Sequence, residues 1–374
     1  MPGMTTIADQ SARAVFGSGP VPAADAASKG PRRLLIVSDA WWPQVNGVVR
    51  TYENICRALE AEGCTVRVVG PSEFLHVALP FYREISLALF PWRKLDREIR
   101  AFAPESVHIA VEGPLGWAAR RWCLKNRVPF STAFHTNFPA YLAVRVPHLL
   151  RRPVKALAIR VVRRFHAPAK FTYAATGSVE AELRGWGFAT RIVRLSRGVD
   201  LDLFHPGNVR RIGRDAPVLL YVGRVAAEKN VEEFLALDCQ GRKVVVGDGP
   251  LLATLSARYP EADFRGALTG TALADAYRTA DVLVFPSLTD TFGLVIIEAL
   301  ASGVPVAAHD APGPRDIIAG DARLGAIDAD LGRAIARALA APGSPEERHA
   351  AVRERFSWAD VARRFRRHST ELRP

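Results

Sequence analysis

The feature that most constrains this chain is a rhythm that occurs twice. Short apolar runs alternate with longer mixed segments. In the first half the runs are Leu34-Leu35-Ile36-Val37, Val66-Arg67-Val68-Val69 and Ser106-Val107-His108-Ile109, with a glycine-opened helix expected over residues 46–60. In the second half they are Val218-Leu219-Leu220-Tyr221-Val222, Lys243-Val244-Val245-Val246 and Asp281-Val282-Leu283-Val284-Phe285, with a helix expected over 231–236. Near-continuous apolar runs of this length read as strands covered on both faces. Strand–helix alternation gives parallel sheets with helices on both sides. The expected fold is therefore α/β, two doubly wound Rossmann-like domains facing across a cleft, with a seam near residues 195–215. Ligands of such sheets bind outside the carboxyl ends of the strands.

The composition, 49% hydrophobic and 24% charged, excludes wholesale disorder. No apolar run reaches the roughly 18–20 residues that a membrane-spanning helix needs. Residues 1–30, rich in Ala, Ser, Gly and Pro, read as a disordered tail without a secretory signal. Cys56, Cys64, Cys123 and Cys239 lack zinc-site spacing and suggest no disulfide framework.

Charge is unevenly placed. Of the net +12, residues 31–195 carry 25 basic and 12 acidic side chains, and residues 196–374 carry 23 and 24. An anionic partner is expected for the first half. The densest stretch is 141–170, with Arg145, Arg151, Arg152, Lys155, Arg160, Arg163, Arg164 and Lys170 and no acidic residue. Leu142, Val146, Leu149, Leu150, Val154, Leu157, Ile159, Val161 and Val162 interleave with them. A basic, partly apolar helix of this kind can lie on an anionic bilayer or pack its apolar side on the domain. No nucleic-acid-binding module accompanies the charge, so nucleic acid is not the expected partner.

The most specific motif runs from Pro286 to Glu298, Pro-Ser-Leu-Thr-Asp-Thr-Phe-Gly-Leu-Val-Ile-Ile-Glu. A strand ends at Phe285, a polar turn follows, and a helix opens near Phe292. The first turn of a helix presents unpaired N–H groups and the positive end of a dipole, which suits a phosphate or sugar hydroxyl. Gly293 lets a ligand approach the backbone. Asp290 and Glu298 can flank one ligand; Asp290 can equally be a helix cap. Glu298 lies between Val295-Ile296-Ile297 and Ala299-Leu300, and a carboxylate in that setting needs a specific partner.

This Asp-x7-Glu arrangement resembles the Glu-x7-Glu motif of the retaining family 4 glycosyltransferases. Other segments resemble that family in the same order: Asn46-Gly47-Val48, Phe134-His135-Thr136, Gly198-Val199-Asp200 with Phe204 and Pro206, Tyr221-Val222-Gly223-Arg224 with Lys229-Asn230, Val246-Gly247-Asp248-Gly249-Pro250, and Ser302-Gly303-Val304-Pro305-Val306. The resemblance spans about residues 33–358. It implies the GT-B fold, with residues 31–195 binding the acceptor, 196–350 binding a nucleotide sugar, and 351–374 a helix crossing back to the first domain. It implies that Arg224 and Lys229 grip the diphosphate, where negative charge grows as the glycosidic bond breaks. Glu228 and Glu232 also stand close enough in sequence to pair with Lys229. Glu298 would receive the ribose hydroxyls, and His135 would lie against the donor sugar. The amides around Phe292, Gly293 and Leu294 would contact sugar or diphosphate, with Gly47 opposite. Asp290 stands where the family has Glu, shorter by one methylene, about 1.5 Å, so its contact with the sugar is expected to differ.

The resemblance implies no metal and no cofactor, with a nucleoside diphosphate sugar as substrate. Asp200 and Asp202 form a short Asp-x-Asp, but at the seam, where a structural role is expected. No Gly-x-Gly-x-x-Gly follows the first strand, so the dinucleotide fingerprint is lacking. The expected activity is retaining hexosyl transfer to an acceptor hydroxyl, on a lipid of an anionic membrane. The protein would sit in the cytoplasm, on the inner face of the cell membrane. UDP-glucose or UDP-glucuronate is the favoured donor, GDP-mannose the alternative. A scaffold that binds nucleotide or anionic lipid without turnover is the competing class, and an epimerase or phosphorylase on the same fold a third.

Overall fold

The computed structural model describes residues 30–373 apart from 45, 80–81, 145 and 208–215. The first half contains β1 (Arg33–Val37), α1 (Gly47–Ala61), β2 (Thr65–Val69), a hairpin of β3 (His76–Leu79) and β4 (Tyr82–Ala88), α2 (Trp92–Phe102), β5 (Ser106–Ile109), α3 (Pro114–Asn126), β6 (Phe130–Phe134), α4 (Phe138–Val144), α5 (His148–His166), β7 (Phe171–Ala174), α6 (Gly177–Gly185) and β8 (Ile192–Arg194). The second half contains β9 (Val218–Val222), α7 (Val231–Ala236), β10 (Arg242–Val246), α8 (Leu252–Arg258), β11 (Asp263–Phe264), α9 (Gly270–Arg278), β12 (Val282–Phe285), α10 (Leu294–Ala301), β13 (Val306–His309), α11 (Pro312–Ile318), β14 (Gly325–Asp328), α12 (Leu331–Leu339), α13 (Pro345–Arg355) and α14 (Trp358–Ser369).

Each half forms a six-stranded sheet, in the orders β2-β1-β5-β6-β7-β8 and β11-β10-β9-β12-β13-β14. Every pairing within them is parallel. The apolar runs explain this. In β9 all five residues are buried, Leu220 and Val222 in a cluster on one face and Leu219 and Tyr221 in a cluster on the other. The first sheet is also covered on both faces, Leu34 and Ile36 lying in one cluster and Leu35 and Val37 in the other.

In both sheets the strand order reverses at the first strand of the half. The switch points lie between β1 and β5 and between β9 and β12. A crevice opens there, outside the carboxyl ends of the strands. α1 follows β1 at the first switch point, and α10 follows β12 at the second.

The chain then returns to the first half. α13 packs on α10, and α14 packs on α1. Val361, Ala362, Phe365 and Leu372 complete the cluster that holds Ile36, Tyr52 and Tyr173.

The basic stretch 141–170 is two helices, not one. α4 ends at Val144 and α5 starts after Pro147, whose extended backbone interrupts the helix. α5 buries only Ala158, Val162, Phe165 and His166. Val162 is thus a core residue, whereas Leu149, Leu150, Leu157 and Val161 are exposed, Leu149 at 88%. Arg151, Arg152, Lys155, Arg163 and Arg164 are exposed on the same helix; Arg145 lies outside the described residues. Asp200 closes a turn, its carboxylate accepting from the amides of Asp202 and Leu203. No group of three or more His, Cys, Asp or Glu able to hold a metal exists among the described residues.

Candidate active site

The site grows from two helix N-termini that meet across the crevice. Asn46 caps α1, its side-chain oxygen accepting from the amides of Val48 and Val49. α10 begins after Gly293, at φ 90°, with no side chain capping its first turn. A Cβ on Gly47 would stand 3.8 Å from Leu294 Cδ1. Thus the first residue of α1 faces the first residue of α10, and the positive ends of both dipoles converge.

The turn after β9 supplies the cations. Gly223 and Arg224 leave the strand, and Lys229 ends a short 3-10 turn. This turn lies directly on the one after β10. A Cβ on Gly247 would come within 1.8 Å of the Gly223 carbonyl oxygen, and one on Gly249 within 2.4 Å of that of Val225. Only glycine permits both approaches, which is why the Gly-x-Gly-Pro turn accompanies the Gly-Arg turn.

Lys229 pairs with neither Glu228 nor Glu232. Its Nζ lies 2.5 Å from Asp290 Oδ1, while Glu232 pairs with Arg258. Asp290 caps no helix. Its backbone forms an isolated bridge with Thr136 of the first half, and the hydroxyl of Thr291 donates to the carbonyl of His135 at 2.6 Å. The 286–293 loop is thereby stitched to the end of β6. The shorter acid at 290 sits on a backbone anchored to the facing domain.

Glu298 finds the partners its sequence setting demands. Arg50 Nη1, from α1, lies 3.3 Å from Oε1, and the Tyr277 hydroxyl, from α9, donates to Oε2 at 2.8 Å. The carboxylate side chain is 8% exposed. Burial pushes its pKa up, and Arg50 and the Tyr277 hydrogen bond pull it back.

His135 directly follows β6 beside the 286–293 loop, where its carbonyl accepts from Thr291. Both its ring nitrogens are engaged by protein side chains. An arginine can only donate, so the 2.8 Å contact from Arg197 makes Nδ1 an acceptor. The ring proton is then on Nε2, 2.8 Å from the Tyr52 oxygen. Tyr52 in turn donates to His108 Nε2 at 2.6 Å, and His108 Nδ1 donates to Ser131 Oγ at 2.8 Å. Burial, reinforced by the Arg197 charge, holds His135 well below the usual histidine range and His108 at about 3. The His135 ring can meet a sugar through nitrogen only by giving up one of these partners.

The structure therefore brings together Gly47, Leu294, Glu298, Lys229 and Asp290 around the crevice, with Arg224 on the turn beside Lys229 and Phe292 and Gly293 leading into α10. The basic residues of α5 form a separate group on the first half. Sequence reasoning missed Arg50, Tyr277, Tyr52 and Arg197. Arg50 was reachable, because it lies three residues after Gly47 on the same helix and shares its face. Nothing in the sequence pairs Tyr277 with Glu298.

Comparison with known proteins agrees with this geometry. The model of Glycosyltransferase Family 4 matches residues 45–203, and that of Glycosyl transferases group 1 matches residues 216–352. A GDP-mannose-dependent alpha-mannosyltransferase of Mycobacterium tuberculosis is 33% identical over 76% of this chain and 81% of that protein. An alpha-monoglucosyldiacylglycerol synthase of Streptococcus pneumoniae is 24% identical over 83% and 78%. Among solved structures, the sucrose-phosphate synthase of Thermosynechococcus elongatus superposes with TM-score 0.73 at 22% identity, over 91% of this chain and 99% of that one. The fold and site define a GT-B glycosyltransferase. The chain belongs to glycosyltransferase family 4 and moves a sugar from a nucleotide sugar to an acceptor.

Proposed function

We propose that this glycosyltransferase is retaining and metal-independent, and that it moves mannose from GDP-mannose to a hydroxyl of a membrane lipid. The observation that carries the site assignment is the convergence of the α1 and α10 N-termini beside Lys229, which offers a positive seat for a diphosphate. Arg224 and Lys229 would bind the diphosphate and stabilise it as a leaving group. Glu298 would receive the ribose diol. Asp290, steered by Lys229, would reach hydroxyls of the sugar, with the amides of Phe292, Gly293 and Leu294 and the open Gly47 shaping the pocket. His135 would contribute its position beside the 286–293 loop rather than a free ring nitrogen. Displacement would occur on the front face, the donor phosphate taking the acceptor proton.

The donor reading rests on the 33% identity to a GDP-mannose-dependent enzyme. UDP-glucose is the second reading, favoured by the similarity to a glucolipid synthase, and UDP-glucuronate completes the panel. The lipid acceptor rests on that second relative and on α5. There Leu150, Leu157 and Val161 recur at helical spacing, exposed among Arg151, Arg152, Lys155, Arg163 and Arg164. Each basic side chain near an anionic surface contributes about 1 kcal/mol. Among the described residues no helix is long and apolar enough to cross a membrane, so attachment would be peripheral, on the cytoplasmic leaflet.

The test is a panel of GDP-mannose, UDP-glucose and UDP-glucuronate, with lipid extract as acceptor, read by mass spectrometry. Hexosylated lipid formed from GDP-mannose alone supports the reading. Transfer only to water-soluble acceptors would remove the lipid, and no transfer with any donor would favour a non-catalytic scaffold.

A further inference from the structure

Arg50 is the side chain of the acceptor half that reaches Glu298 in the nucleotide half. It rises from the first turn of α1, one turn after Gly47, and its side chain is one-third exposed. It contacts one carboxylate oxygen, and Tyr277 contacts the other. Each oxygen keeps a further acceptor site, which is what a ribose 2′,3′-diol requires.

Glu298 is otherwise poorly placed to be an anion. Ile296, Ile297, Ala299 and Leu300 around it in α10 are fully buried. The ionisable groups acting on it are Arg50 from α1 and Tyr277 from α9. The other elements packed on α10 use their polar groups elsewhere. His349 of α13 bonds the Ala301 carbonyl, and on α11 Arg315 pairs with Asp310 while Asp316 accepts from the Ser178 amide. Among the described residues the charge that stabilises the anion is that of Arg50.

We propose that Arg50 is a positioning residue for nucleotide recognition: from the facing domain it holds the Glu298 carboxylate in the charged, two-acceptor form that receives both ribose hydroxyls. This rests on the reading that Glu298 binds the ribose. A protonated Glu298 would offer a donor where the diol needs an acceptor. Removing the guanidinium leaves burial opposed only by the tyrosine, so the carboxyl takes up a proton at higher pH. Nucleotide affinity is then lost as pH falls through the raised value and is kept above it.

The test is calorimetry of GDP and UDP binding from pH 6 to pH 8.5, using wild type, Arg50→Met and Arg50→Lys. The ratio of variant to wild-type affinity at each pH cancels the titration of the diphosphate itself. For Arg50→Met that ratio should fall progressively from pH 8.5 to pH 6, because the carboxyl takes up its proton at a higher pH than in wild type. Arg50→Lys should restore a flatter profile. Circular dichroism at each pH establishes that the variants are folded. A loss for Arg50→Met that does not change with pH would place Arg50 on the phosphates and overturn the proposal, as would wild-type affinity throughout. A third arm uses the 2′,3′-dideoxy nucleoside diphosphate with wild type. If it binds as tightly as the ribonucleotide, the ribose reading of Glu298 fails. If it binds weakly while Arg50→Met keeps the wild-type pH profile, only the role of Arg50 fails.

Discussion

Lys229→Met separates the stability of this site from its chemistry. The side chains of Lys229 and Asp290 are 27% and 23% exposed and meet at 2.5 Å. At that distance and the effective dielectric of such a position their gross attraction is about 7 kcal/mol. Solvent screening, desolvation and the ordering of a long side chain cancel most of it, leaving about 1 kcal/mol of net stability. The unfolding midpoint should therefore move by only a few degrees. The effect on transfer should be much larger, because the leaving diphosphate gains negative charge beside Lys229 in the transition state. Losing one such contact costs about 2–4 kcal/mol, roughly 30- to 1,000-fold in kcat/KM. The assay is steady-state transfer with lipid acceptor, paired with thermal unfolding of the same preparations. The charge-exchanged double variant, Lys229→Asp with Asp290→Lys, should recover the midpoint without recovering transfer. Near-wild-type transfer by a folded Lys229→Met protein, or recovery of transfer by the exchanged pair, would refute the reasoning by reducing the pair to a structural brace.

Other expectations follow from the same geometry. Gly47→Ala places its methyl at ordinary contact distance from Leu294, so the fold should be unchanged while nucleotide-sugar affinity, read by calorimetry, falls. Gly293→Ala differs, because φ is 90° and the new Cβ would lie 3.0 Å from Ile296 and Phe285; strain and overpacking should cost about 2 kcal/mol or more in a denaturant melt. Asp39 is buried and accepts from the Leu115 and Gly116 amides, yet burial raises its pKa to about 6. A carboxyl raised in the folded state is stabilising while protonated, so its contribution is lost as pH rises from about 4 to about 6, about 3 kcal/mol in all. The midpoint of Asp39→Asn relative to wild type should rise over that window and level off above it. Changing Arg151, Arg152, Lys155, Arg163 and Arg164 together to Glu should abolish low-salt sedimentation with anionic vesicles and leave nucleotide affinity intact.

The architecture was legible because its signal is local. Runs such as Val218–Val222 declare a doubly covered strand without reference to anything distant, and so does the Gly-x-Gly spacing at Gly247 and Gly249. The apolar neighbours of Glu298 also signalled that it needs a partner. The identity of that partner was not local. Arg50 lies 248 positions away in sequence and meets Glu298 only when the two sheets face each other. The same holds for Arg197 and His135, 62 positions apart. The break between α4 and α5 was readable at Pro147, but the continuous basic charge across it drew attention to composition instead.

The most direct measurement of the central claim is a crystal structure of the protein with a nucleoside diphosphate. The diphosphate is expected between the first turns of α1 and α10, against Arg224 and Lys229, with both ribose hydroxyls on Glu298. A nucleotide bound elsewhere, or one whose ribose leaves the Glu298 carboxylate to Arg50 and Tyr277 alone, would contradict it.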